Sequence, residues 1–181
     1  MKICFLGPSG YGKSTAVQIL GNYYSTVNIK IGEPLYDLQK HFYERIKTEL
    51  KGEQDGELLQ FYGMKVRKEN PQFLLEDFGN RLTNVPSEIE IITNDDCRPY
   101  DYDCLKQLDF IFIKIDGYKR DRVDHSNSNP NLKIEWQSEI PYDYVLQNLT
   151  DLDTYEKNIL SLVKEIKNDR KVLCRTSSKK M

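Results

Sequence analysis

The chain has 181 residues, 30% of them charged and 39% hydrophobic, with a formal net charge of −2. These values suit a soluble globular protein of one domain, or one domain with a mobile insert, and they exclude a global basic footprint for nucleic acid. No apolar run approaches membrane-spanning length, and the first is too short for a signal peptide. The elements begin with Ile3-Cys4-Phe5-Leu6, an apolar run suited to a buried strand. Residues Ser14 to Tyr24 follow, with Ala16, Val17, Ile19 and Leu20 at helical spacing. Val27 to Ile31 alternates and reads as a strand with one wet face or at a sheet edge. Pro34 suits the first turn of a helix running to about Leu50. Gly52 to Gly56 is a polar break. Helices are expected over about Gly56 to Lys68 and from Pro71 onward, the latter with Phe73, Leu74, Leu75 and Phe78 as its apolar side. Glu88 to Thr93 alternates again, although a fully buried strand would not carry Glu88 and Glu90 unpaired. Phe110 to Ile113 reads as a central strand and Tyr144 to Leu146 as a last short one. Thr154 to Lys167 is an amphipathic helix, and a basic, frayed tail is expected from Lys171.

Strands alternating with helices imply a mainly parallel sheet covered on both faces. The expected organisation is one domain over residues 1–170 and a tail over 171–181. Gly117 to Pro141 stands apart. It is polar, carries Lys119, Arg120 and Arg122, has an Asn-rich centre, and lies between two strands, where a lid or crossover fits. The four cysteines and two histidines are scattered, with no C-x-x-C pair. That pattern argues against zinc and against a disulfide framework, and suits reduced thiols in a cytoplasmic protein.

The motif that carries chemistry is Gly7-Pro-Ser-Gly-Tyr-Gly-Lys-Ser14, a complete G-x-x-x-x-G-K-[ST] phosphate loop between a strand and a helix. Its glycines let successive N–H groups point at phosphate oxygens, and the helix N-terminus faces the anion. Lys13 reaches the β and γ phosphates, and the Ser14 hydroxyl is a ligand for Mg²⁺. Gly7, Ser9, Gly10, Tyr11, Gly12, Lys13, Ser14 and Thr15 are the candidate nucleotide-binding residues. Phosphoryl transfer needs further cations, and Arg98, Arg120 and Arg122 are the candidates. Asp95 and Asp96 follow a strand in the manner of an acid that holds Mg²⁺, with turn-forming aspartates as the alternative. Asp96 is taken as the metal ligand beside Ser14. His41 and Trp136 read as an exposed helix residue and a hydrophobic anchor.

Four further blocks resemble the deoxynucleoside monophosphate kinases of phages and bacteria, within the P-loop nucleoside monophosphate kinases. Ile31-Gly-Glu-Pro-Leu-Tyr-Asp37 is similar to the family's segment lining the monophosphate site. Leu58-Leu-Gln-Phe-Tyr-Gly63, with Arg67 and Pro71, is similar to its L-L-Q-x-x-G element. Asp96-Cys-Arg98 resembles its strand-ending D-x-R. Ser138-Glu139 and Tyr144-Val-Leu-Gln-Asn148 resemble its closing region. The chain departs from the family at Trp136, where His is common, at Met64, where Thr is common, and in a longer linker from Arg122 to Ser138. These departures bear on the acceptor more than on the reaction class.

The resemblance implies a three-layer α/β P-loop kinase fold, with a five-stranded parallel sheet, helices on both faces and a short lid. It implies Mg-ATP as donor and a (deoxy)nucleoside monophosphate as acceptor. Glu33, Pro34, Gln60, Arg67, Asp96 and Arg98 would line the acceptor site, and Arg120 and Arg122 would close over the phosphates. Competing readings are a kinase of another phosphorylated metabolite or of a modified DNA base, or a nucleotide-binding regulator without turnover. The GTPase signatures D-x-x-G and N-K-x-D are absent from the sequence. A nucleic-acid partner and a membrane are not expected, and a homodimer is compatible with the sequence.

Overall fold

A computed structural model describes residues 1–52, 54–117 and 140–177. Five strands form one parallel sheet: β1 (Lys2–Leu6), β2 (Thr26–Asn28), β3 (Ile91–Asn94), β4 (Ile111–Gly117) and β5 (Tyr144–Asn148). Their spatial order is β2-β3-β1-β4-β5. Among the described residues, six helices accompany them: α1 (Lys13–Tyr23), α2 (Glu33–Arg45), α3 (Gly56–Glu69), α4 (Phe73–Thr83), α5 (Tyr102–Gln107) and α6 (Leu152–Ser177). A short 3₁₀ turn, Pro99–Asp101, precedes α5.

The two-residue period of the strands divides the core into two layers. From β1, Ile3 and Phe5 join Ile111, Ile113 and Ile115 of β4 beneath α1 and α6, where Ile19, Leu20, Ile159 and Val163 cover them. Cys4 and Leu6 face the other way with Phe112, and meet Leu74, Phe78 and Leu82 of α4 and Leu105 of α5. Both sheet faces are therefore buried, as the near-continuous apolar β1 and β4 require. The central strand is β1, between β3 and β4. The chain reaches β2 and β3 on one side and then crosses to β4 on the other. Ligand sites in open α/β sheets form at such a reversal, outside the carboxyl ends of the strands.

Several boundaries differ from the sequence-based expectation, each for a local reason. Helix α2 stops at Arg45 because Lys47 adopts φ 54°. The Thr48 N–H donates to the Tyr43 carbonyl at 3.2 Å and the Lys47 N–H to Glu44 at 3.3 Å. This is a Schellman stop with Lys where Gly is usual. Helix α4 starts at Phe73, since Asn70 makes a turn in which its side chain accepts from the Gln72 N–H at 3.3 Å. Strand β2 ends at Asn28; the following backbone is held by side chains of the loop after β3. Glu88 and Glu90 precede β3 and are exposed, and Glu90 lies 3.7 Å from Lys167, so neither acid burdens the buried strand. Helix α6 runs on to Ser177, past the expected tail boundary at 171. The segment expected to act as a lid lies, from residue 118 to 139, outside the described residues. No described helix is long and apolar enough to cross a membrane.

Candidate functional site

The phosphate loop links the carboxyl end of central β1 to the start of α1. Gly12 takes φ 97°, a conformation that L side chains rarely adopt. A Cβ there would come within 2.5 Å of Asn148 Nδ2, so the position is closed to a side chain on both counts. Lys13 folds along the loop, its Nζ donating to the Gly7 carbonyl at 2.6 Å and to the Pro8 carbonyl at 2.9 Å. Burial pulls the Lys13 ammonium down to about 8, and Arg98 pushes in the same direction, while Asp95 opposes them. A cation held in a poorly solvated place interacts strongly with any anion that arrives.

Ser14 opens α1, and its hydroxyl donates to Asp95 Oδ2 at 3.1 Å. The other Asp95 oxygen accepts from Asn28 Nδ2 at 3.0 Å. Asp96 was expected to be the acid beside Ser14, and the geometry assigns that place to Asp95. Asp96 is committed elsewhere. Its carboxylate accepts from the Ile31 N–H at 2.9 Å, the Gly32 N–H at 2.8 Å and Asn94 Nδ2 at 2.7 Å. It thereby fixes the turn into α2, where a Cβ on Gly32 would stand 3.1 Å from Asp96 Oδ2 and press on that carboxylate. Adjacent residues at a strand end point to opposite sides, so only one of the pair faces the phosphate loop.

The acceptor-side candidates group around the loop after β3. Arg98 is half-buried in the loop that follows β3. Its backbone N–H donates to Asp101 Oδ2 at 3.0 Å. Arg67, on α3, approaches Asp101 Oδ1 at 3.2 Å and lies over the Tyr100 ring at 4.0 Å. One carboxylate thus ties the Arg98 loop to Arg67. Asp101 is fully buried, and burial raises its pKa to about 6 against the opposing pull of Arg67 and the Arg98 N–H. Glu33 and Pro34 form the first turn of α2, and Gln60 lies exposed on α3. Arg120 and Arg122, with Trp136, Ser138 and Glu139, fall outside the described residues.

Four residues beside the site, Lys30, Asp101, Asn148 and Tyr155, are not among the sequence-predicted site candidates. Lys30 stands 5.2 Å from the Tyr36 ring centroid. Burial works against its charge, but Tyr36, Asp95, Asp96 and Glu33 more than compensate and raise its pKa. The signal for Lys30 was its place directly before the Ile31–Asp37 block; nothing local marks Asp101 or Tyr155. A cavity of about 480 Å³ opens along α2, lined by Tyr36, Gln39 and Tyr43 among others, and includes no phosphate-loop residue.

The described residues contain no cluster of three or more His, Cys, Asp or Glu side chains suited to a metal. Mg²⁺ does not need one. It binds through one or two protein oxygens, completed by water and phosphate, and Ser14 with Asp95 supplies that hard-oxygen pair. The residues present fit the ion.

No model of a known protein family matches the sequence, and no curated protein matches it. Solved structures do. A gluconokinase from Sinorhizobium meliloti 1021 is 15% identical, with a TM-score of 0.52 over 95% of this chain and 96% of that one. Shikimate kinase from Aquifex aeolicus is 14% identical, with a TM-score of 0.48 over 94% of this chain and 98% of that one. Dephospho-CoA kinase from Campylobacter jejuni is 14% identical, with a TM-score of 0.49 over 94% of this chain and all 100% of that one. At such identities the likeness concerns the fold, and the chain has the α/β P-loop kinase fold. By its name the gluconokinase is not a nucleoside monophosphate kinase.

Proposed function

We propose that this protein is an ATP-dependent kinase that transfers the γ-phosphoryl group of Mg-ATP to a (deoxy)nucleoside monophosphate, giving the diphosphate and ADP. The observation that carries the proposal is the Ser14–Asp95 hydrogen bond, which joins the phosphate loop bearing Lys13 to the end of β3, from which the Arg98 loop leaves. In this reading the loop N–H groups and Lys13 hold the β and γ phosphates of the donor. Ser14 and Asp95 would hold Mg²⁺, which supplies charge neutralisation on those phosphates when bound. Arg98 and Arg67 grip the acceptor's phosphate.

The chemistry needs little more. The bond from the γ-phosphorus to the bridging oxygen of ATP breaks, and an oxygen of the acceptor phosphate bonds to that phosphorus. A phosphate monoester is largely dianionic at neutral pH, so its oxygen attacks without a general base. That suits a site in which Asp96 is occupied by three N–H donors and Asp95 by Ser14 and Asn28. A hydroxyl acceptor would instead call for a carboxylate placed to take its proton.

The test is ADP release measured across a panel of ribo- and deoxynucleoside monophosphates, with sugar acids and other phosphorylated metabolites alongside. The proposal expects turnover confined to nucleoside monophosphates. A flat response over them with a hit on another metabolite overturns the acceptor. Nucleotide binding without any turnover makes the protein a regulator.

A further inference from the structure

We infer that Asn148 and Tyr155 form a clamp that sets the shape of the phosphate loop from behind, and so determine its affinity for the polyphosphate donor. Asn148 ends β5, and Tyr155 lies in the first turn of α6; both are buried, at 4% and 1% exposure. Asn148 Nδ2 donates to the Tyr11 carbonyl at 2.9 Å. The Tyr155 hydroxyl donates to the Gly12 carbonyl at 3.1 Å, alongside the helical bond that the same oxygen accepts from the Ala16 N–H at 2.9 Å. Two consecutive carbonyls of the loop are therefore drawn back toward the C-terminal part of the chain, more than a hundred residues away.

The consequence follows from peptide geometry. In a trans peptide the carbonyl and the next residue's N–H point in opposite directions. Pulling the Tyr11 carbonyl back turns the Gly12 N–H forward, and pulling the Gly12 carbonyl back does the same for the Lys13 N–H. Those are donors that a phosphate loop offers to its anion. Without the clamp the two peptides are freer to rotate, and the anion must order them on arrival. That ordering lowers affinity, whereas a preorganised loop avoids it.

The space around Gly12 supports the same assignment. A Cβ there would stand 2.5 Å from Asn148 Nδ2 and 3.3 Å from Tyr155 Cε1. The second glycine of the motif is thus required by the clamp as well as by its positive φ. Asn148 and Tyr155 are positioning residues: they touch loop carbonyls and act on the ligand through the amides.

The experiment uses the full chain with Tyr155→Phe, Asn148→Ala and the double variant. Tyr155→Phe keeps the ring in its apolar layer and removes only the hydroxyl, so its fold should persist. Binding of Mg-ATP and of tripolyphosphate is measured by calorimetry, and the Gly12 and Lys13 amides are followed by NMR. Each single variant should weaken both ligands about threefold to tenfold, the range of one lost hydrogen bond. The Gly12 and Lys13 amide signals should shift or broaden, while KM for a monophosphate acceptor stays near the wild-type value. A merely structural role would move stability without moving those amides or separating donor from acceptor. Wild-type affinity for tripolyphosphate in a folded Tyr155→Phe or Asn148→Ala protein, with unmoved amides, overturns the inference. Protein that binds tripolyphosphate through the clamp yet turns over no monophosphate leaves the clamp standing and defeats the kinase reading.

Discussion

The donor side of the site and the acceptor side are built in different ways. On the donor side, eight contiguous residues make a phosphate loop, and its charge, Lys13, bonds to carbonyls five and six positions away. On the side proposed to take the acceptor, carboxylates join distant parts of the chain. Asp96 holds the backbone at Ile31 and Gly32, and Asp101 joins Arg98 to Arg67. Even that contiguous loop is held from a distance, by Asn148 and Tyr155 on its carbonyls and by Asp95 on Ser14. An acceptor site assembled from three separate elements can change what it accepts by changing one of them.

The comparison can be broken from the donor side first, where the largest effect is expected. Lys13→Met should lower kcat by at least about a hundredfold, because Lys13 stabilises charge that develops in transfer. Steady-state turnover at saturating ATP checks this; wild-type kcat would remove the loop from the proposed reaction. On the acceptor side, Arg98→Lys should raise KM for the monophosphate by about tenfold and leave ATP binding nearly intact, since Lys lacks the planar fork. Equal losses for both substrates would place Arg98 with the donor.

A smaller effect is a pH dependence of the donor side. Burial holds Lys13 down to about 8, below its ordinary 10.5. Its charge is therefore disfavoured in the folded protein below about pH 8, and that penalty on folding fades as pH rises toward 10.5. A bound polyphosphate favours the ammonium. ATP affinity should hold steady below about pH 8 and fall above it, approaching tenfold per pH unit, with a proton taken up on binding. Calorimetry in buffers of different ionisation heat reads this directly, and Lys13→Met should abolish the dependence.

The smallest expected change concerns Asp101. Its pKa is raised to about 6 from 3.8 by burial. The protonated form is thus favoured by folding, so this group's contribution to stability declines as pH rises from about 4 through 6. Asp101→Asn should flatten that part of the urea-midpoint profile, and it should loosen Arg67 while donor binding is unchanged. An unaltered profile would mean that Asp101 is charged at no cost.

How much of this was legible in the sequence follows from the same division. The phosphate loop, the apolar strands and the layering could be read because their signals are contiguous or periodic. The choice between Asp95 and Asp96 could not, because it depends on strand phase at the end of β3. The stop of α2 at Lys47 was hidden because a residue with a side chain occupies the place that glycine usually marks. Asp101 was invisible because its partner Arg67 is 34 positions away. The clamp on the loop was hidden for the same reason, with Asn148 and Tyr155 lying 137 and 143 positions from their acceptors.

The most direct measurement follows the phosphoryl group itself. ATP labelled in the γ-phosphate is incubated with the protein, Mg²⁺ and each monophosphate in turn, and the products are separated. The account predicts that label appears in the β-position of a nucleoside diphosphate for at least one monophosphate, and that Lys13→Met suppresses it. Label found only in inorganic phosphate, or transferred only to an acceptor that is not a nucleoside monophosphate, would contradict it.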